Sequence, residues 1–341
     1  MNLSRFESVT SRYPSLRIAV VGDFCLDRYL EIDPERAETS IETGLPVHNV
    51  VRIRPQPGAA GTILNNLVAL GVGEVFVVGL AGEDGEGYEL RRALQTMRGV
   101  RLDHFIQSPD RHTFTYTKPL VLEPGKPPRE LNRFDLKNWS PMSAALEDRL
   151  RQAVRALAGR MDAFILLEQV DAPDTGVLTR GLLDELGALA RSHPKLLMIG
   201  DSRRGLRHFP PMTFKMNRAE LTRLLGVTSG LGLQEVQQRA AALARKNGHP
   251  VFVTMAEQGI VGASPDGAAA HQPSLPVRGE IDIVGAGDAV TANLAAALAA
   301  GATLAESLAL ANAAASIVIH QLGTTGSATV PQIRELLVVA D

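Results

Sequence analysis

Five apolar runs of strand length, each with helical spacing downstream, constrain the fold of this chain more than any other feature. They lie at 17–22, 74–79, 163–167, 196–199 and 251–254. Their hydrophobicity is continuous rather than alternating, which is the pattern of strands covered on both faces in a parallel sheet. Helical windows fall near 60–70, 86–97, 142–158, 176–192, 233–247, 288–300 and 303–320. Alternation of the two types makes βαβ units, and hence an α/β fold in three layers: a central, mostly parallel sheet flanked by helices.

Two segments interrupt this rhythm. Residues 28–55 and 103–136 hold alternating, β-rich stretches, 47–53 and 113–117 among them, with no helical spacing. They are expected to form a small β-sheet beside the carboxyl ends of the core strands, where open α/β sheets bind ligands, and to act there as a lid. The run Pro-Gly-Lys-Pro-Pro at 124–128 reads as a tight hairpin loop within it. With no internal repeat and no linker, residues 1–341 read as a single domain. If the lid keeps an apolar face and a free edge, pairing two lids buries both, so a homodimer through these segments is expected.

Composition excludes several classes. Thirty-five Lys+Arg against 37 Asp+Glu give a formal charge of −2, which argues against a general nucleic-acid binder. The one cysteine, Cys25, can form neither an internal disulfide nor a multi-cysteine metal site. The first 15 residues lack the apolar core of a signal peptide. The greasiest stretch, from Leu294 onward, is broken by Gly301, Thr303, Glu306 and Asn312. No membrane span and a cytoplasmic location are therefore expected.

The stretch that carries chemistry is Asp282-Ile-Val-Gly-Ala-Gly-Asp288, followed at once by an Ala-rich helical pattern. Gly285, Ala286 and Gly287 let the backbone turn sharply where a helix begins. Unpaired amides and the positive end of the helix dipole then make an anion hole. Asp288 would repel a phosphate held there unless it served a hydroxyl attacking that phosphate, as a base beside an electrophile does. The residues alone equally allow a Gly-rich turn with Asp288 as a helix cap.

This stretch resembles the C-terminal signature D-T-T-G-A-G-D of the PfkB, or ribokinase-like, family of carbohydrate kinases. Further likenesses run along nearly the whole chain. Val20-Val-Gly-Asp23 with Leu26-Asp27-Arg28-Tyr29 is similar to the family's first strand and substrate turn. Pro57-Gly58 leading to Asn65-Asn-Leu-Val-Ala-Leu-Gly71 resembles its N-terminal signature, and Lys215-Met-Asn217-Arg-Ala-Glu220 its N-x-x-E motif. Val253-Thr-Met-Ala-Glu-Gln-Gly259 resembles the strand and turn beneath the nucleotide. The L-D-R-Y and T-x-x-E-Q-G segments and the tail 311–323 look most like the D-glycero-D-manno-heptose 7-phosphate kinase branch. That branch is often fused to a nucleotidyltransferase, and no such domain is expected within these 341 residues.

The resemblance implies a ribokinase-like fold, ATP and Mg²⁺ as cofactors, and activation by K⁺. It implies Asp288 as the base, with Gly285, Ala286 and Gly287 forming the hole for the transferring phosphoryl group. Asn217 and Glu220 would hold Mg²⁺ through water, although from the residues alone the pair reads more simply as a helix cap with a solvated Glu. Thr254 and Gly259 would line the nucleotide pocket, Asn312 would lie near the adenine, and Arg203 would border the phosphates in Asp201-Ser-Arg203. Asp282 and the carbonyl of Val284 would hold the monovalent cation.

On the sugar side the resemblance implies Asp27, together with Asp23, Gly58 and Thr62. A buried carboxylate at a strand end needs partners, which favours a ligand role, and capping of the following turn is the alternative. Arg28, Arg52, Arg54, Lys118 and Arg133 are the cations in or beside the lid that could meet a sugar phosphate. The run Gly58-Ala-Ala-Gly-Thr62 departs from the family's G-G-x-x-N at Ala59 and Thr62, so the nucleotide half is better kept than the sugar half. The expected activity is ATP-dependent phosphorylation of a sugar or sugar phosphate, with a heptose 7-phosphate among the candidates. The alternatives are a kinase for fructose 6-phosphate, a nucleoside or a deoxy-ketose acid, or a non-catalytic nucleotide or sugar sensor on the same fold. Retention of Asp288 speaks against the sensor.

Overall fold

The computed structural model describes residues 1–228 and 230–337. Residue 229 and residues 338–341 of the expected 1–341 span lie outside them. The first half contains α1 (Leu3–Thr10), β1 (Arg17–Gly22), β2 (Phe24–Ile32), β3 (Glu38–Thr39), β4 (Pro46–Val47), β5 (Val50–Ala59) and α2 (Ala60–Ala69). Then come β6 (Glu74–Gly82), α3 (Gly85–Gln95), β7 (Val100–Ser108), β8 (Thr115–Val121), β9 (Arg129–Glu130), β10 (Phe134–Leu136) and α4 (Ala144–Ala158). The second half contains β11 (Ala163–Glu168), α5 (Arg180–Ser192), β12 (Leu197–Ser202), β13 (Thr213–Asn217), α6 (Arg218–Leu225) and α7 (Leu233–Asn247). It ends with β14 (Val251–Thr254), β15 (Ile260–Ala263), β16 (Ala269–Gln272), α8 (Ala286–Ala299), α9 (Leu304–Val318) and α10 (Val330–Leu337).

Nine strands form one sheet in the order β16-β15-β14-β13-β12-β11-β1-β6-β7. The seven from β14 to β7 are parallel, and β15 and β16 close one edge as an antiparallel hairpin. The central strands show why the continuous apolar runs were needed. Ile18 and Val20 pack into the layer of α2, α8 and α9, while Ala19 and Val21, pointing the other way, pack into the layer of α4, α5 and α7. A strand clothed on both sides has no position left for a polar residue.

The lid is a second sheet in the order β10-β8-β2-β5, with β9 paired to β8. Its boundaries correct the sequence reading. Residues 103–108 belong to β7, which pairs parallel to β6 at the edge of the main sheet and is not part of the lid. Their alternation reflects a half-wet edge strand, which from sequence looks like a lid strand. The lid also begins earlier than residue 28, because β2 leaves β1 after a single residue, Asp23. The 124–128 run does connect an antiparallel pair, β8 to β9.

The lid sheet has two unlike faces, as strand alternation requires. One carries Asp27, Tyr29, Arg54, Gln56, Gly58, Tyr116 and Lys118 in cross-strand register. The other packs Arg28 onto α3 and leaves Ile53, Phe134 and Leu136 exposed.

Candidate active site

Helix α8 begins at the turn the sequence singled out. Gly285 has φ +83°, the left-handed region that glycine enters without penalty, and its carbonyl accepts the first helical bond, from Ala289 N at 2.9 Å. The Ala286 amide donates to Ile283 O at 3.2 Å. In this conformation the first-turn amides without a helical acceptor are therefore those of Gly287 and Asp288, one position later than expected. Thr325 and Thr62 support the turn from behind: a Cβ on Gly285 would lie 3.3 Å from Thr325 Cβ and 3.4 Å from Thr62 Cγ2.

The Asp288 carboxyl is pushed up to about 7. Loss of water is the main cause, the Lys215 ammonium opposes it, and the Asp201 and Asp27 charges add to it. Lys215 lies under the turn, its Nζ 3.2 Å from where a Gly287 Cβ would be. It donates to Asp201 Oδ2 at 2.7 Å, and Thr291 Oγ1 reaches the same oxygen at 3.0 Å. Burial works to lower the Lys215 pKa, but Asp201, Asp288 and Glu220 outweigh it and hold the ammonium above its ordinary value. A fixed positive charge thus sits at the floor of the anion hole. Sequence reasoning assigned no role to Lys215 or Thr291, although a lysine two residues before Asn217 inside a buried strand was a signal.

Asn217 and Glu220 form a reciprocal capping box at the head of α6. Asn217 Oδ1 accepts from Glu220 N at 2.9 Å and Glu220 Oε2 from Asn217 N at 2.7 Å. Glu220 also lines a cavity of about 520 Å³ with Asp171, Arg203, Arg204 and Arg223, and burial raises its pKa. Among the described residues no cluster of three or more His, Cys, Asp or Glu could hold a metal. This donor set would suit a Mg²⁺ held chiefly by water and phosphate oxygens, with Glu220 meeting it through water.

Asp282 joins the turn to the loop after α9: Oδ1 accepts from Val284 N at 3.0 Å and Oδ2 from Gly323 N at 3.2 Å. Each oxygen keeps a lone pair, which suits a weakly bound monovalent cation. Gly259 and Asn312 meet at one place. Gly259 has φ +89° and no room for a Cβ, which would fall 2.1 Å from Gln272 O, while Asn312 Nδ2 donates to Pro273 O at 2.8 Å. Both therefore shape the segment after β16, and the buried Asn312 amide is committed to that segment. Thr254 ends β14 opposite Asn217. Arg203 is half exposed, with Nε 3.5 Å from Asp171.

On the lid side, Asp27 is buried against Lys118, Oδ1 to Nζ 2.9 Å. Gly58 makes room for it, since a Cβ there would fall 2.6 Å from Asp27 Oδ2. Tyr29 lies between Arg54 and Lys118, whose charged groups are 4.3 and 4.9 Å from its ring centroid. Arg133 stacks on Tyr116 at 4.8 Å and pairs with Asp135.

Three expectations are corrected. Asp23 is a structural clasp: its buried carboxylate accepts from the amides of Gln169, Val170 and Val177 at 2.7, 3.3 and 2.7 Å. Thr62 is 1% exposed behind the anion turn, not on the sugar pocket, and its hydroxyl has no partner among the described residues. Arg28 points to the far lid face, paired with Glu89 at 3.0 Å and Glu86 at 3.7 Å.

Residues 185–331 match the sequence model described as pfkB family carbohydrate kinase. The chain is 31% identical over 330 residues to the bifunctional protein HldE of Pelobacter propionicus, covering 95% of this chain and 64% of that protein. To HldE of Azorhizobium caulinodans it is 32% identical over 308 residues, 90% of this chain and 61% of that one. Over residues 185–331 the chain is thus similar to the pfkB family of carbohydrate kinases. It spans less than two thirds of those relatives' length. Among solved structures it is similar to Escherichia coli phosphofructokinase-2 in complex with potassium, at TM-score 0.73 and 16% identity, over 94% of this chain and 98% of that one. Arabidopsis thaliana ribokinase complexed with ribose and ATP gives 0.66 and 20%, over 95% and 99%. At such identities the likeness shows the fold, which is that of the ribokinase-type kinases. No helix among the described residues is long and apolar enough to cross a membrane.

Proposed function

We propose that this chain transfers the γ-phosphoryl group of ATP to a hydroxyl of a sugar or sugar phosphate. The observation that carries this reading is Asp288. It is a carboxylate pushed up to about 7, at the head of a helix with open amides, close enough to the lid's Asp27 to feel its charge. As the hydroxyl oxygen bonds to the γ-phosphorus, Asp288 takes its proton, and the bond to the bridging oxygen breaks to release ADP. The Gly287 and Asp288 amides and the Lys215 ammonium receive the charge on the phosphoryl oxygens. Asp27 and Lys118 orient the acceptor. Glu220 would meet Mg²⁺, which would supply neutralising charge for the phosphates, and Asp282 would hold K⁺ beside the turn.

The branch resemblance and the cationic lid face of Lys118 and Arg54 support a heptose 7-phosphate as the first acceptor to test, in a cytoplasmic setting where ATP is supplied. The exposed Ile53, Phe134 and Leu136 on the outer lid face, with β5 a free edge, support a homodimer through the lid. An ATP-turnover assay over a heptose 7-phosphate, fructose 6-phosphate, a nucleoside and a deoxy-ketose acid tests the activity. Tight ATP binding with no turnover on any of them would leave a nucleotide sensor in its place.

A further inference from the structure

Two side chains of β5 reach the loop after α9: Arg54, whose Nη2 lies 3.5 Å from Gly323 O, and Gln56, which makes the closer contacts. Gln56, on β5 in register with Asp27, turns its carboxamide to the loop after α9. Its Nε2 donates to Thr325 Oγ1 at 2.6 Å and Thr325 O at 3.1 Å, and its Oε1 accepts from Thr324 Oγ1 at 3.0 Å. The same loop rests on the phosphate-binding turn, where Thr325 packs against Gly285 and Gly323 N bonds Asp282. It is also braced internally. Gln321 bonds Ser327 in both directions, at 2.8 and 3.1 Å, and Asn66 Nδ2 holds Gly326 O at 3.3 Å. A loop tied across its base shifts as a unit, so displacement at one end is felt at the other.

We infer that Gln56 is a positioning residue: its carboxamide, through the 321–327 loop, couples the position of the lid strand to occupancy of the Gly285 turn. A neutral amide suits the task, since it uses donors and acceptor together and adds no charge near a triphosphate. Phosphate in the turn then draws β5 and its neighbour Asp27 inward, and by linkage a closed lid tightens the turn on phosphate. The inference rests on the kinase reading of that turn.

The test uses the chain's single cysteine as reporter. Cys25 is buried on β2 opposite Gly58, and burial raises its thiol pKa, so reaction with 5,5′-dithiobis(2-nitrobenzoate) requires the lid strands to open. Labelling is followed with and without Mg·ADP, and ADP binding is measured separately by calorimetry. In the wild type Mg·ADP should slow labelling about fivefold or more. In Gln56→Ala ADP should still bind but protection should vanish, and in Thr324→Val, which keeps the two bonds to Thr325, protection should fall below that of the wild type. Wild-type protection in both variants overturns the inference. So does unprotected Cys25 in a wild type that binds ADP, while the kinase reading stands. A wild type that fails to bind ADP removes that reading, and the inference with it.

Discussion

Lys118 Nζ stands 2.9 Å from Asp27 Oδ1 on the inner face of the lid, and both side chains are withdrawn from water. Such a pair is costly to break from one side, because the remaining charge is buried alone, by about 3–5 kcal/mol. Lys118→Met should therefore lower the urea midpoint sharply. Lys118→Met with Asp27→Asn should recover most of that loss while leaving sugar KM high. A double variant as unstable as the single would show that the lysine stem, not the charge pairing, supports the lid.

Asp288→Asn should reduce kcat by about 10²–10⁴-fold while ATP still binds, because the amide is isosteric but accepts no proton. A helix cap would survive the change, since Asn caps as well as Asp. Turnover within a few-fold of wild type would return Asp288 to that role.

The pH dependence follows from the same carboxyl. A base raised to about 7 is protonated below that pH, so wild-type kcat/KM should climb toward a plateau above neutrality. The stability sign is the reverse of the usual aspartate case. The folded state holds the proton that the unfolded chain, with an ordinary value near 3.9, releases. Stability attributable to this group is greatest below pH 4 and declines as pH rises to about 7. Asp288→Asn should accordingly raise the melting temperature at pH 8 relative to wild type, and leave it unchanged at pH 4. Equal shifts at both pH values would assign the effect to packing.

Ala59, at the junction of β5 and α2, has φ +52° and ψ −116°, a conformation that glycine adopts freely and alanine does not. Such strain costs of order 1–3 kcal/mol, and glycine's extra freedom when unfolded returns about 0.4–1 kcal/mol of it. Ala59→Gly should therefore stabilise the protein by about 1 kcal/mol in urea unfolding. A loss of stability would mean that the methyl's packing outweighs the strain.

Phe134, 68% exposed on the outer lid face, is the most direct probe of assembly. Phe134→Asp should leave the chain folded and shift light scattering from dimer to monomer. A wild type that is already monomeric at micromolar concentration would remove the lid dimer.

The parts legible in the sequence were those whose physics is local. Strands such as 163–167 are buried on both faces and write that fact as an unbroken apolar run, and Gly285–Asp288 carries its turn and helix start in consecutive residues. What escaped depends on neighbours distant in the chain. β7 alternates because it lies at an edge, so it passed for lid. β13 is not among the five apolar runs; Lys215 lies in it, and its neighbour β12 supplies the Asp201 that makes that lysine tolerable. Asp23 and Asp27, four residues apart, were indistinguishable until the fold placed three amides around one and an ammonium beside the other. Asn217 and Glu220 satisfied two descriptions at once, and the capping geometry is the one they adopt.

The order of strands in the lid also bears on how such a protein can be recombined. β2 and β5 leave and rejoin the body between β1 and α2, whereas β8 to β10 do so between β7 and α4, yet β2 is hydrogen-bonded between β5 and β8. The sheet is thus woven from two separate excursions of the chain. A chimera that imports one excursion from a relative must zip a foreign strand against a native one along Leu26–Ile32 of β2. Acceptor preference should therefore transfer between relatives only when both excursions travel together, and gene fragments cut between them should yield proteins with a torn lid and an intact nucleotide floor.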